Sequence, residues 1–148
     1  MNRRAAFLLV ALALTLSAPT GAQEVEHINP RSATDPDAPP FSGAVRVGNT
    51  VYLSGTLGLD PGQQLPATPE AEARNVLNNI RSTLEAAGLT MDDLVQVQIF
   101  SSDVSHYDAF NRVYRTFFTG EFPARAFLGS GTLLFGARFE VMGIAVDR

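Results

Sequence analysis

Apolar residues between Ala73 and Ala87 recur at intervals of three and four: Ala73, Val76, Leu77, Ile80, Leu84 and Ala87. That spacing puts them on one face of an α-helix. Thr68 precedes the run as a side-chain N-cap, and Pro69 fits the first helical position. Glu70 and Glu72 fall in the first turn, where the helix dipole favours negative charge. Gly88 follows as the stop. Asn75, Asn78, Arg81 and Glu85 take the solvated side. Further on, Leu94 to Phe100 alternates, with Val95, Val97 and Ile99 facing one way and Gln96 and Gln98 the other, a strand period. A second helix is predicted from about Ser105 to Phe118. Its apolar stripe is Tyr107, Phe110, Val113 or Tyr114, and Phe117, read as core. Ser42–Val47 and Thr50–Gly55 are β-rich runs around Gly48-Asn49, a hairpin signal. Phe122–Gly129 and Arg138–Val146 read as two more strands. The order is β-β-α-β-α-β-β, an α+β fold with helices on one face of a mixed sheet.

Before this lies a different pattern. Arg3 and Arg4 precede an uninterrupted apolar run, Ala5 to Leu16, which is about twelve residues long and short for a membrane span. Residues 1–22 read as a signal peptide, which predicts a periplasmic or secreted protein with no stable membrane association after cleavage. Residues 23–40 are rich in proline and polar residues and read as a coil or linker. The domain proper is expected over 41–148.

Composition narrows the chemistry. The chain has no cysteine and no tryptophan, and its 11 basic residues are all arginine. A thiolate nucleophile, a cysteine-bound metal, a lysine Schiff base and a Walker-type phosphate loop are all excluded. Only His27 and His106 are present, so a three-histidine metal site cannot form. His27 reads as a solvated bystander and His106 as a surface residue. The net charge of −4 becomes more negative if Arg3 and Arg4 leave with the leader. An acidic chain is a poor partner for nucleic acid or anionic lipid.

Two charged residues interrupt apolar strands: Arg125 in Phe122–Leu128 and Glu140 in Arg138–Ile144. One reading is structural. Each points to solvent, or the two pair across neighbouring strands, which contributes little if exposed. The other reading is a site. Arginine grips a carboxylate with a planar fork, and glutamate can direct or deprotonate a water. Together they suit water attack on a small acid bearing C=N or C=O.

From about Ile28 to Val146 the chain resembles the RidA/YjgF family. The matching segments are Pro40-Phe41-Ser42-Gly43-Ala44-Val45, Val51-Tyr52-Leu53-Ser54-Gly55, the helix around Ala73–Ile80, Ala86-Ala87-Gly88 with Asp92-Asp93, Phe110-Asn111-Arg112-Val113-Tyr114, Phe122-Pro123-Ala124-Arg125, and Phe139-Glu140-Val141 ahead of Ile144-Ala145. The resemblance implies a chorismate-mutase-like fold and a homotrimer with ligand clefts between subunits. It implies hydrolysis of enamines and imines, such as 2-aminoacrylate and 2-imino acids, to a 2-keto acid and ammonia, as in a 2-iminobutanoate/2-iminopropanoate deaminase. No metal or organic cofactor is implied. By position, Arg125 resembles the arginine that holds the substrate carboxylate and Glu140 the glutamate that positions water. Asn111 resembles the asparagine lining the cleft, with Ser54 and Gly55 beside it.

Three positions depart from the pattern. Phe41 stands where active members usually have tyrosine. Ala126-Phe127 replaces a Ser-Cys pair, and Met142 replaces a second glutamate. The expected cleft, with Phe41 and Phe127 among its substrate-binding residues, is more apolar than usual. Two functions follow: a deaminase using Arg125 and Glu140, or a non-catalytic small-molecule-binding protein of the same fold. A nuclease role has no basic patch or histidine pair behind it.

Overall fold

A computed structural model of the protein describes residues 23–32 and 34–148. The expected signal peptide lies outside the described residues. The elements are β1 (Val25–Ile28), β2 (Ala44–Val47), β3 (Thr50–Leu57), α1 (Pro69–Ala86), β4 (Leu94–Ser101), α2 (Tyr107–Tyr114), β5 (Ala124–Gly129) and β6 (Phe139–Val146). The six strands form one sheet in the order β1-β2-β3-β6-β4-β5. All pairs are antiparallel except β4 with β5. The helices α1 and α2 pack on each other, and α1 packs on β3 and β6. This is the expected α+β mixed sheet with its helices on one face.

The strand β1 corrects the reading of 23–40 as only coil or linker. Val25–Ile28 pairs antiparallel with Val47–Ala44. Three of its four side chains are exposed and only Ile28 is buried, so it carries no alternation to read. His27, expected to be a bystander, sits in this strand with Nδ1 3.1 Å from the Ser42 hydroxyl. Arg46 on β2 bridges to Glu26 of β1 and Asp147 of the C-terminus.

The helix α1 follows its sequence closely. Thr68 accepts a hydrogen bond from the Ala71 amide, and Pro69 opens the helix. At the far end, Gly88 takes φ +75°. Its amide donates to the Glu85 carbonyl and the Leu89 amide donates to the Leu84 carbonyl. Those two bonds are a Schellman closure, with buried Leu84 and Leu89 at its ends. The strand β4 departs from strict alternation. A register shift between Leu94 and Gln96 turns Val95 outward, while Leu94, Val97 and Ile99 are buried. The second helix is shorter than expected, because the residues on either side of Tyr107–Tyr114 form 3-10 turns.

Glu72 has a role that the sequence left hidden. It is 0% exposed. Its carboxylate accepts from the Arg138 amide at 2.6 Å, the Phe139 amide at 3.0 Å and Arg138 Nη1 at 2.7 Å. The first turn of α1 is thereby pinned to the start of β6, the strand that carries Glu140. Breaking a buried, fully bonded pair leaves its partners unmatched. Glu72→Ala is therefore expected to destabilise the fold by about 3–5 kcal/mol, read from the urea-unfolding midpoint. A loss under about 1 kcal/mol, as for an ordinary surface change, would show that the carboxylate does not hold the strand.

Candidate functional site

Arg125 lies on β5, in register with Val97 of β4. Residues in register share a face, and Val97 is buried beneath the helices. Arg125 therefore points to the helix side. Its Nη1 donates to Asn111 Oδ1 on α2 at 2.7 Å. Its guanidinium stands over the Tyr114 ring at 4.7 Å and near the Tyr107 ring at 5.8 Å, both in cation–π range. It makes no ion pair among the described residues. One neutral acceptor and two ring faces hold the fork, and its other donors face a cavity of about 190 Å³ that Tyr107, Asn111, Tyr114, Arg115 and Phe122 line with it. Burial pushes the Tyr114 hydroxyl up to about 12, with Arg125 pulling the other way. That hydroxyl is buried and has no hydrogen-bond partner.

The segment leading into β5 is held from below. The Thr119 amide and hydroxyl and the Gly120 amide all donate to Asp92. The Thr119 hydroxyl and amide hold the Asp92 carboxyl below the usual aspartate range. This tie fixes where Phe122 and Pro123 enter the Arg125 cavity.

Glu140 lies elsewhere. On β4, Val97 pairs with both Arg125 and Gly143, whereas Phe100 pairs with Leu128 and Glu140. Three residues along a strand reverse the face. Glu140 therefore projects from the sheet face opposite to Arg125, ~10 Å along the strands and ~10 Å across them from it. The suggested Arg125–Glu140 pair across neighbouring strands is corrected: β4 runs between their strands, and one chain does not bring the two side chains together.

The Glu140 cleft has a volume of about 530 Å³ and includes Arg31, Phe41, Gly55, Leu57, Leu134 and Phe135 in its lining. Gly55 sits at a register irregularity of β3 between Leu53 and Thr56. A Cβ there would overlap Glu140 Oε1, so the carboxylate rests against bare backbone. Gly55→Ala would push that carboxylate aside, since a flexible side chain yields before a strand does. Misplacing a reacting group by about 1 Å can cost 10²-fold. With Glu140 as the water-positioning glutamate that the family resemblance implies, the variant is expected to lose about that much kcat at a nearly unchanged melting temperature. Wild-type kcat in a well-folded variant would show that the placement of Glu140 is immaterial.

The other expected residues divide between these places. Phe41 is 54% exposed at the Glu140 cleft. Ser54 donates its hydroxyl to the Ser42 carbonyl at 2.7 Å, so it pins the approach to β3. Asn111 is the acceptor for Arg125. Phe127 packs edge-on against Tyr107 at 5.2 Å and Phe110 at 5.8 Å and lines neither cavity. Met142 lies on the open face, in register with Gln98. His106 is half-buried with its ring edge toward Phe139. Among the described residues, no group of three or more His, Asp or Glu side chains is placed to hold a metal ion, and no helix is long and apolar enough to cross a membrane.

Several lining residues were not legible beforehand. Tyr107 and Tyr114 carried only a core signal. Leu134 and Phe135 lay in a loop, yet they stand 69% and 68% exposed at the rim of the Glu140 cleft. Phe135 takes φ 56°, a left-handed conformation unusual for a bulky side chain. No sequence pattern signals it.

The sheet, with helices on one side, an arginine cleft at its β5 edge and a glutamate cleft on its open face, defines an α+β protein. The chain matches, over residues 32–147, the family described as endoribonuclease L-PSP. It belongs to that family, also known as RidA/YjgF. It is 38% identical over 110 residues to the 2-iminobutanoate/2-iminopropanoate deaminase of Mus musculus, a match covering 73% of this chain and 82% of the mouse protein. The protein of the same name from Capra hircus is 40% identical over 110 residues, covering 73% and 80%. Among solved structures, the YjgF gene product of E. coli superposes with a TM-score of 0.70 at 34% identity, covering 74% of this chain and 89% of that one. The expectation of a periplasmic or secreted protein is corrected by these relatives. The mouse and goat deaminases are proteins of animal cells, which have no periplasm. A short apolar run behind two arginines is a compositional signal, and kinship outweighs it here.

Proposed function

We infer that the protein is a hydrolytic deaminase of 2-imino acids and the enamines that tautomerise to them, working as a homotrimer with residues 41–148 as the catalytic domain and β1 completing its sheet. The observation that carries this reading is Arg125. Its guanidinium is oriented by Asn111 and two tyrosine rings, has no carboxylate partner among the described residues, and faces a cavity. A substrate carboxylate fits that fork. The deaminase names of relatives at 38% and 40% identity support the chemistry.

Glu140 supplies the second half from a neighbouring copy. Its carboxylate orients a water toward C2 of the bound iminium and takes up a proton as the oxygen–carbon bond forms. The proton passes to the nitrogen, and the freed carboxylate takes the hydroxyl proton as the C–N bond of the tetrahedral adduct breaks. A 2-keto acid and ammonia leave, the last proton departing with the ammonia as ammonium. The placement of Arg125 and Glu140 on opposite faces supports assembly, since two copies can juxtapose what one holds apart. The open sheet face supports it too. It bears Tyr52, Leu128 and Met142, all exposed large side chains, together with Gln96 and Gln98, an apolar surface of the kind that copies cover.

A non-catalytic binding protein is the second reading, favoured by the apolar rim of Phe41, Leu134 and Phe135 around Glu140. The test is direct. Imino acids generated from alanine and other amino acids by an amino-acid oxidase are trapped with semicarbazide, and the purified protein should clear them before they are trapped. Light scattering should give three times the chain mass. A protein that binds 2-keto acids but clears no imine is a binding module; a monomer in solution would refute the shared site.

A further inference from the structure

We propose that the cavity beside Arg125 is the side-chain pocket of the substrate site, built for an aromatic ring that carries a polar para substituent. The preferred substrates are then aromatic 2-imino acids, above all hydroxyphenyl ones, rather than the small aliphatic imines. The proposal rests on the deaminase reading for its chemistry, but the pocket is defined by geometry alone.

Its walls are flat. Tyr107 and Phe122 present exposed rings, the buried Tyr114 borders them, and the Arg125 and Arg115 guanidinium groups close it. Arg125 stands over Tyr114 at 4.7 Å and Arg115 over Phe122 at 5.8 Å. Flat, polarisable walls favour a flat ligand, which meets them by ring–ring and cation–π contact. The volume of about 190 Å³ suits a single ring, given that an apolar cavity of about 150 Å³ holds benzene. A three-carbon imino acid bound to Arg125 would leave most of that space to water. Phe122 is an exposed large apolar residue and Tyr107 another; a bound ring would cover both.

A second observation is independent of shape. The Tyr114 side chain is only 3% exposed, and its hydroxyl has no hydrogen-bond partner. Buried hydroxyls in folded proteins are nearly always paired. The residue lines the cavity, so a polar ligand atom entering it supplies the missing partner. The raised Tyr114 pKa agrees with this, because the group stays protonated at neutral pH and can both donate and accept. The carboxylate goes to the Arg125 fork, the ring lies against Tyr107 and Phe122 and not between Phe122 and Tyr114, whose rings stand 6.1 Å apart, and the para oxygen meets Tyr114. A site built around a hydrogen bond to a ligand hydroxyl discriminates strongly against the ligand lacking it.

Calorimetric titration of the full assembled protein with pyruvate, phenylpyruvate and 4-hydroxyphenylpyruvate tests the pocket through the 2-keto acid products, and the oxidase-coupled assay tests turnover in parallel. Phenylpyruvate is expected to bind at least about tenfold tighter than pyruvate, and 4-hydroxyphenylpyruvate about tenfold tighter again. In Tyr114→Phe the ratio between the hydroxyphenyl and phenyl ligands should fall to near one, since only the oxygen is removed. Aromatic ligands binding no tighter than pyruvate would overturn the pocket. A Tyr114→Phe effect of equal size on all three ligands would overturn the para contact and assign the hydroxyl to the shared carboxylate. If the aromatic preference holds but no imine is cleared, the pocket stands and the deaminase reading fails. If the alanine-derived imine is cleared with no aromatic preference, the deaminase stands and this proposal fails.

Discussion

Replacing Arg125 by alanine is expected to lower kcat/KM for imine hydrolysis by about 10²–10⁴-fold. The guanidinium can give a substrate carboxylate two charge-assisted hydrogen bonds, each contributing about 1.5–3 kcal/mol, and each 1.4 kcal/mol is about a factor of ten. The loss should fall mainly on KM, because the carboxylate is bound alike before and during the reaction. Arg125→Lys keeps the charge but not the fork, nor the guanidinium contact over the Tyr114 ring at 4.7 Å. It should recover only part of the loss. Steady-state kinetics on the alanine-derived imine, with melting temperatures to confirm folding, decide this. A folded Arg125→Ala variant with wild-type kcat/KM would remove Arg125 from the site, and with it the argument from the cavity.

Glu140→Gln should act on the other kinetic constant. Glutamine has the same shape and fits against Gly55, but it cannot take a proton from water. A general base contributes about 10²–10⁴-fold, so kcat should fall by that factor while KM changes little. The same variant separates the two readings of function, because a binding protein would keep its affinity for 2-keto acids and have no turnover to lose. An active Glu140→Gln enzyme would mean that another group, or solvent alone, activates the water.

The pattern of the chain predicted most elements because their signals are local. The 3,4 spacing of α1, its Thr68 cap and its Gly88 stop all recur in the structure. Each depends on backbone geometry within a few residues. The misses share a different cause. The strand β1 exists because β2 offers it an edge, and its own side chains mostly face water. Val95 turns outward because a bulge in β4 breaks the period of two that the alternation assumed. Glu72 looked like a helix-dipole residue, and only the arrival of Arg138 and Phe139, 66 and 67 positions later, makes it a buried anchor.

The site divides along the same line. The sequence by itself determined that cysteine, lysine and three-histidine chemistry are absent, and that Arg125 and Glu140 are charges set into apolar strands. It also carried enough family-like segments to indicate the fold and a carboxylate-bearing ligand. Those follow from residue identity and order, which no packing can change. Tertiary structure alone decided that the two residues lie on opposite faces of one sheet, because strand order puts β4 between them and a three-residue offset reverses the side. It alone turned Tyr107 from core stripe to exposed pocket wall, while Tyr114 stays in the core and borders the same cavity. A helical period says which residues share a face; what that face meets depends on a strand elsewhere in the chain.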